Sequence, residues 1–246
     1  MIYVYRYLVA IFSTFVWSSL ACLAAAVDRS GESMVWIARQ WIRWILGGCG
    51  IRVETEGLEN IDPSQPYVIM TNHQSVLDIG AVIQALPVSF RFVAKKELTW
   101  IPVFGWALPL AGHVIIDRRE RSKAVSSLEQ AAQRIRDGVN VIIFPEGTRS
   151  ATGDLQPFKS GGFHLAIQAQ VPILPATISG TRVLTPKHSL RIESGTVKIV
   201  YGKPIPTAGL GIDDRESLKQ QVRLAIFQGF DWDYQPPPEH SPFSKG

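Results

Sequence analysis

The pattern of apolar and charged positions divides this chain near residue 50. Residues 7–27 carry no charged side chain. As a helix, this run would extend about 31 Å, close to the thickness of the hydrocarbon core of a bilayer. A short polar break follows, and residues 34–48 then form a second apolar segment with helical periodicity. Its apolar face carries Ile37, Trp41, Trp44 and Ile45, and another face carries Arg39 and Arg43.

The two arginines decide how the second segment meets a membrane. Each would cost roughly 2.5–3.5 kcal/mol at the bilayer centre, so this helix is expected in the interface, with its tryptophans among the headgroups. We therefore predict that residues 1–49 form a membrane-anchoring helical hairpin, tied to one leaflet or built from one span and one interfacial helix. A cleaved signal peptide is the alternative, since Arg6 and the alanines at 24–26 loosely fit one.

From Ile51 onward, strand-like and helical patterns alternate. Strands are expected at 51–57, 66–72, 90–94, 113–118, 139–147, 172–179, 189–194 and 196–205. Helices are expected at 76–86, 120–137, 161–170 and 213–230. This alternation predicts an α/β domain over residues 50–232, with a mixed, mostly parallel sheet covered by helices on both faces. Residues 233–246 form a Pro-rich tail that we expect to be irregular.

Composition narrows the classes of partner. Hydrophobic residues make up 46% of the 246 residues, and the formal net charge is +4. A mildly basic, apolar chain suits an anionic membrane surface or phosphorylated substrates. Nucleic acid is not an expected partner, because the Lys and Arg residues are scattered and no known nucleic-acid motif appears. No CxxC or HExxH pattern indicates a metal, and Cys22 lies in an apolar helix-like run that disfavours a structural disulfide.

A histidine and an aspartate five positions apart, His73 and Asp78, follow the short apolar run at 67–70. Inside one continuous helix they would lie about 140° apart, so they can meet only if His73 precedes a helix that carries Asp78 in its first turn. Asn72 and Ser75 are suitable turn and cap residues. In that arrangement Asp78 holds one ring nitrogen and leaves the other free as a general base. The alternative is a core histidine beside an aspartate that favours the helix dipole.

A second polar group, residues 144–150, follows the strand pattern at 141–144 and is expected at the same sheet edge as His73. Gly147 allows a tight turn, and Arg149 can present a bidentate fork to a phosphate. Lys159 and Lys95 add positive charge. The alternative is a structural Glu146–Arg149 pair that stabilises the loop.

Together, "NHQSVLD" (72–78) and "FPEGTRS" (144–150) resemble the N-H-x4-D and E-G-T-R boxes of glycerolipid acyltransferases. "GHVIIDR" (112–118) and "VPILPATISG" (171–180) resemble two further motifs of that family, and all four occur in order. The chain is most similar to the bacterial 1-acyl-glycerol-3-phosphate acyltransferases. The resemblance implies acyl transfer from acyl-CoA or acyl carrier protein to the sn-2 hydroxyl of lysophosphatidate, which makes phosphatidic acid. Relatives also use glycerol 3-phosphate, other lysophospholipids or aminoacyl lipids as acceptors.

The resemblance also implies roles for individual residues. His73 is the general base, oriented by Asp78, and no covalent acyl-enzyme, metal or cofactor is required. The implied substrate-binding residues are Glu146, Gly147, Thr148, Arg149, Arg118, Lys95 and Lys159. The expected partners are the two substrates, membrane lipids and an acyl carrier protein, at the cytoplasmic face of the cell inner membrane.

Three interpretations stay open at this point. The apolar run at 100–110 can line an acyl tunnel, dip into lipid or belong to an ordinary core. A serine hydrolase could use His73 and Asp78, but no GxSxG motif occurs and Ser75 fits a cap better. A membrane scaffold without activity would explain the apolar N-terminus but not two polar boxes that converge on one sheet edge.

Overall fold

The computed structural model describes residues 1–28, 31–117 and 121–234. For residues 121–128 it describes the backbone, and side chains are described again from Glu129 onward. Arg118 and the tail from residue 235 therefore lie outside the described residues. The helices are α1 Ile2–Ala24, α2 Glu32–Cys49, α3 Leu77–Ala85, α4 Phe104–Leu110, α5 Arg121–Arg136, α6 Gly161–Ala169, α7 Thr181–Leu184 and α8 Arg215–Gln228. The strands are β1 Ile51–Glu56, β2 Val68–Thr71, β3 Phe90–Lys95, β4 Val114–Ile116, β5 Asn140–Ile143, β6 Ile173–Ser179 and β7 Gly195–Tyr201.

The seven strands form one sheet in the order β1-β7-β6-β2-β5-β3-β4. Neighbouring strands pair in parallel except β6 and β7, which pair antiparallel. The predicted mixed, mostly parallel sheet is thus confirmed. Since β1 and β7 run against the other five strands, their amino ends lie at the edge where those strands have their carboxyl ends. This shared edge, which we call the site edge, brings the loops after β2, β5 and β6 together with the entries to β1 and β7.

The inner strands are short apolar runs because helices cover both faces of the sheet. In β2, Ile69 faces a core that includes side chains of α2 and α3, whereas Val68 and Met70 face a core that includes side chains of α5, α6 and α8. Each of these three β2 side chains is completely buried. The sheet is therefore a rigid platform for the loops at the site edge.

The strand predicted at 189–194 is wrong. These residues form an irregular loop, and β7 pairs instead with β6 on one side and β1 on the other. Both edges of β7 are thereby occupied, which leaves no place for a hairpin partner. The alternating pattern has another origin, because Leu190 is 78% exposed while Ile192 packs against the core.

The two N-terminal helices pack on one another and on the domain. The Trp17 ring meets Trp36 and Trp44 edge to face, at centroid distances of 6.2 and 5.5 Å. Trp41 Nε1 donates a hydrogen bond to Thr14 Oγ1 at 3.1 Å. Helix α1 is long and apolar enough to cross a membrane by length and composition. The predicted domain boundary at residue 49 stays a prediction, and α2 also contributes buried side chains to the domain core.

Candidate active site

His73 lies in the turn between β2 and α3, at the site edge, and Asp78 lies in the first turn of α3. His73 Nδ1 is 2.8 Å from Asp78 Oδ2, which is the contact that the five-residue spacing predicts. The Asp78 side chain is fully buried and that of His73 is 15% exposed. Local geometry alone therefore brings the imidazole and the carboxylate together.

Further hydrogen bonds hold the Asp78 carboxylate. Its Oδ2 also accepts the backbone N–H groups of Gln74 and Ser75, at 2.6 and 2.8 Å. Its Oδ1 accepts the hydroxyl of Thr181, at 2.5 Å. A carboxylate only accepts, so His73 must donate from Nδ1, and its Nε2 is left as the basic nitrogen. The network thereby selects the tautomer that a general base needs.

The loop after β5 closes over His73 from the neighbouring strand. The His73 ring stacks on Phe144, with centroids 4.1 Å apart and an interplanar angle of 26°. The His73 backbone N–H donates to Glu146 Oε1 at 2.6 Å, and its carbonyl accepts the N–H of Ser150 at 2.7 Å. The two polar boxes, 66 positions or more apart along the chain, are thus joined directly because β2 and β5 pair.

Glu146 is a buried connector between these loops, with 2% of its surface exposed. Its second oxygen accepts the N–H of Gln156 at 2.8 Å, so backbone groups bind both carboxylate oxygens. Among the described residues it forms no ion pair with Arg149, so the structural pair considered as an alternative is not present. Burial, and to a smaller extent the charge of Asp78, raises the pKa of Glu146 from 4.5 to about 7, although the two backbone hydrogen bonds and the charge of Arg223 oppose the shift.

Glu146→Gln should change how stability depends on pH. A raised carboxyl pKa means that the folded state favours the neutral acid, so wild-type stability from this group is present below pH 4.5 and is lost as pH rises to about 7. The variant lacks this loss, so its free energy of unfolding should improve relative to wild type between pH 5 and pH 8. Denaturant unfolding at both pH values checks this. If the variant instead lost stability relative to wild type between pH 5 and pH 8, the two N–H donors would outweigh burial in setting the pKa of Glu146.

The predicted cationic residues do not all lie in one place. Arg149 is half-buried and Thr148 is exposed. Gly147 adopts the left-handed conformation (φ 70°), and Lys159 lies over it, so that an added Cβ would come within 3.0 Å of the lysine chain. Lys95 is exposed at the carboxyl end of β3, which β5 separates from β2. The fourth predicted cation, Arg118, lies outside the described residues.

An apolar cavity of about 740 Å³ runs across one face of the sheet, beneath α1 and α2. Arg149, His188 and Arg191, which belong to loops at the site edge, line what we call its polar end, and Phe90 and Phe92 of β3 also line the cavity. His73 is not a lining residue. Val76 and Leu77, which follow His73 in the turn and at the start of α3, do line the cavity, so it extends to the segment that carries His73 and Asp78.

The apolar run at 100–110 divides between the cavity wall and the outer surface of the domain. Phe104, Ala107 and Leu108 line the cavity. Trp100 and Trp106 are 64% and 59% exposed on the outside of the domain. The same short segment thus forms a cavity wall and an exposed apolar surface.

Sequence reasoning missed Thr181 and Thr185. Thr181 begins α7, directly after β6, and reaches Asp78 across 103 positions of chain. Thr185 closes the same helix, and its carbonyl accepts the Ser75 hydroxyl at 2.9 Å. The only available signal was their position just after the "VPILPATISG" motif, at the carboxyl end of a strand.

The Acyltransferase family model matches residues 52–179. The 1-acyl-sn-glycerol-3-phosphate acyltransferase alpha of Homo sapiens is 42% identical over 182 residues, 74% of this chain and 64% of that protein. The 1-acyl-sn-glycerol-3-phosphate acyltransferase of Cocos nucifera is 33% identical over 239 residues, 95% of this chain and 74% of that protein.

A solved structure is similar over nearly the whole chain. It is the crystal structure of the 1-acyl-sn-glycerophosphate (LPA) acyltransferase PlsC from Thermotoga maritima, with a TM-score of 0.80, 26% identity, and coverage of 93% of this chain and 92% of that one. The chain spans less than two thirds of the length of the human relative. Because the family model matches more than half of the residues and the shared motifs meet at one sheet edge, this chain belongs to the Acyltransferase family.

Proposed function

We propose that this chain transfers a fatty acyl group from acyl-CoA or acyl carrier protein to the sn-2 hydroxyl of 1-acyl-glycerol 3-phosphate and so makes phosphatidic acid. One observation carries the proposal: a histidine held by a buried aspartate stands beside an apolar cavity that has Arg149 at its polar end. A base, an apolar chain site and a phosphate-binding cation are the three parts that this reaction needs. The names of the relatives support lysophosphatidate as the acceptor.

In this mechanism His73 acts as a general base. Its Nε2 takes the proton of the acceptor hydroxyl as that oxygen attacks the thioester carbonyl. Asp78 stabilises the imidazolium that forms. The C–S bond then breaks, and the imidazolium returns its proton to the departing thiolate.

The proposed mechanism has no covalent acyl-enzyme, because the hydroxyl that lies between His73 and Asp78 in the sequence, that of Ser75, is not available as a nucleophile. Ser75 is fully buried. Its Oγ donates to the Thr185 carbonyl, contacts the Thr185 hydroxyl and accepts the Leu77 N–H. These contacts support direct transfer and give Ser75 a structural role at the start of α3.

A single assay separates this activity from its alternatives. Thiol release from acyl-CoA or acyl carrier protein is measured with lysophosphatidate, glycerol 3-phosphate, another lysophospholipid, an aminoacyl lipid, or no acceptor, and lipid products are identified. We expect release that depends on lysophosphatidate and yields phosphatidic acid. Free fatty acid without acceptor would indicate a hydrolase, and no release would indicate a scaffold. Another acceptor giving the fastest release would overturn the proposed substrate.

Arg149→Ala should raise the lysophosphatidate KM at least tenfold, with a smaller effect on the KM of the donor. The guanidinium follows the Gly147 turn and lines the polar end of the cavity, and a hydrogen bond to a charged group contributes about 1.5–3 kcal/mol. Arg149→Lys should recover only part of the loss, since an ammonium keeps the charge but not the planar fork. Steady-state kinetics on both substrates checks this.

Thermal unfolding of both Arg149 variants is the control, because their loop packs against His73. If a normally folded alanine variant keeps its acceptor KM while its donor KM rises, the arginine belongs to the coenzyme end of the site. The assignment of Arg149 to the acceptor phosphate would then be wrong.

We further propose that α1 and the exposed apolar surface at 100–110 embed in the inner membrane from its cytoplasmic face. Large apolar side chains of α1 point away from the domain, with Leu8, Phe12 and Phe15 each more than 60% exposed. The amino-terminal part of α1 is held against the domain, because the Arg6 guanidinium donates a hydrogen bond to the Ile192 carbonyl. This geometry favours insertion into one leaflet with the cavity close to the lipid phase.

Phe12→Ser combined with Phe15→Ser should weaken membrane binding more than tenfold. Each phenylalanine contributes about 1.5–3 kcal/mol when it moves from water into an apolar phase. Flotation with anionic vesicles measures the bound fraction. Leu224→Ser, which alters a 56% exposed side chain on α8, is the matched control and should bind normally. If the double variant binds as wild type does, α1 is not the anchor, and Trp100 is the next residue to replace.

A further inference from the structure

The loop between α7 and β7, residues 185–194, is a closed and anchored structure at the site edge. Its neck is tied by a backbone hydrogen bond from Glu193 N–H to the Leu184 carbonyl, at 2.8 Å. Its first residue accepts the Ser75 hydroxyl, which joins the loop to the turn that carries His73. Compact loops with close ends of this kind are frequently functional.

Two basic side chains of this loop line the polar end of the cavity, and a third contacts the backbone of Arg149 beside it. Lys187 Nζ donates to the Arg149 carbonyl at 2.8 Å, which uses one of its three donors. His188 and Arg191 line the cavity and are exposed. His188 adopts the left-handed conformation (φ 63°), which is uncommon for a residue other than glycine.

The acidic residue of the loop does not neutralise this cluster, because α1 engages it. Glu193 accepts the hydroxyl of Tyr3, and Arg6 forms an ion pair with it at 4.0 Å. Arg191 keeps an exposed guanidinium whose fork matches a phosphate. The cluster beside Arg149 is therefore positive.

The tip of the loop is apolar. Leu190 is 78% exposed and stands between His188 and Arg191 in the sequence. An apolar side chain between two basic residues suits the boundary between acyl chains and phosphate headgroups. The contacts of Glu193 and Ile192 with Tyr3 and Arg6 also place this loop next to the start of α1, the proposed membrane anchor.

We propose that the α7–β7 loop binds a lipid phosphate through Lys187, His188 and Arg191. The phosphate lies beside Arg149 at the polar end of the cavity, and the Leu190 side chain lies in the layer of acyl chains. This proposal rests on the proposed function for the identity of the acceptor. Two sources supply that chemistry: the phosphomonoester of lysophosphatidate, or the phosphate of an anionic bilayer lipid. In both cases the loop holds a phosphate headgroup at the polar end of the cavity and takes no part in proton transfer.

Two variants test the loop. Arg191→Gln removes one positive charge, and no contact of its side chain with the loop that carries Arg149 is described. The double variant Lys187→Gln/Arg191→Gln removes two positive charges. Lys203→Gln is the matched control, since this exposed lysine follows β7 at the opposite sheet edge. The first arm measures both KM values with lysophosphatidate in neutral detergent micelles. The second arm measures binding to phosphatidylcholine vesicles with and without phosphatidylglycerol.

We expect Arg191→Gln to raise the acceptor KM in micelles about tenfold, and the double variant further, with the donor KM unchanged. An unchanged acceptor KM with weaker binding to phosphatidylglycerol vesicles alone would also support the loop, with the bilayer as the source of the phosphate. Variants that match Lys203→Gln in both arms would overturn the proposal. If wild type shows no release dependent on lysophosphatidate, the proposed function fails, and the vesicle arm still decides whether the loop binds lipid phosphate.

Discussion

Replacement of His73 with alanine is expected to lower acyl transfer by about 10²–10⁴-fold, the usual contribution of a positioned general base. Within the described site, the His73 imidazole is the only base that is oriented by a hydrogen bond to a buried carboxylate. The fold should persist, since the bonds that join His73 to Glu146 and Ser150 use its backbone and survive the change. Thiol release at saturating substrate, together with circular dichroism, is the measurement.

A second histidine provides the matched control. His164 is exposed on α6, away from the cavity, and His164→Ala should leave turnover unchanged. Membrane binding should be normal in both variants. Turnover above a few per cent of wild type in a folded His73→Ala protein would remove the general base from the mechanism.

Local geometry explains why much of the site could be predicted. The contact between His73 and Asp78 depends only on a turn followed by a helix, and the residues between them specify both. The placement of Arg149 near His73 needed one more step, the assumption that two apolar runs become parallel strands with their carboxyl ends together. β2 and β5 are adjacent in the sheet, so that step succeeded.

Other features depend on contacts that no local pattern encodes. Thr181 completes the hydrogen bonds of Asp78 from 103 positions away. The role of Glu146 was also hidden, because a glutamate three residues before an arginine indicates a pair, whereas burial directs this carboxylate to two backbone N–H groups. The loop at 189–194 alternates like a strand, yet the edges of β7 are occupied, so sheet topology overrides the local pattern.

The N-terminal helices show the same limit in another way. Their length and composition predict membrane association and an anchoring unit separate from the domain. In the fold, Val35, Ile42 and Leu46 of α2 belong to the core beneath α3, and side chains of both helices line the cavity. Removal of residues 1–49 would therefore open the core as well as remove the anchor, which is why surface substitutions on α1 are the sharper test of membrane binding.

Asp78→Asn should lower turnover within the range expected for His73→Ala, about 10²–10⁴-fold; the corresponding change in serine proteases costs about 10⁴ and also reverses the histidine tautomer. The two carboxylate oxygens have different partners here. Among the described residues, Oδ2 accepts three N–H groups, from His73, Gln74 and Ser75, and Oδ1 accepts only the Thr181 hydroxyl. An asparagine can therefore keep its carbonyl at the Oδ2 position and donate its NH₂ to Thr181, since a hydroxyl also accepts.

That orientation preserves the His73 tautomer and removes only the negative charge that stabilises the imidazolium. The variant should fold, bind lysophosphatidate with an ordinary KM and lose kcat, because the charge matters only once the proton has moved. Thr181→Val is the matched control, since it removes one hydrogen bond to Asp78 and keeps the charge, and its kcat should fall far less. Equal losses of kcat in the two variants would show that positioning of the carboxylate, and not its charge, limits the reaction.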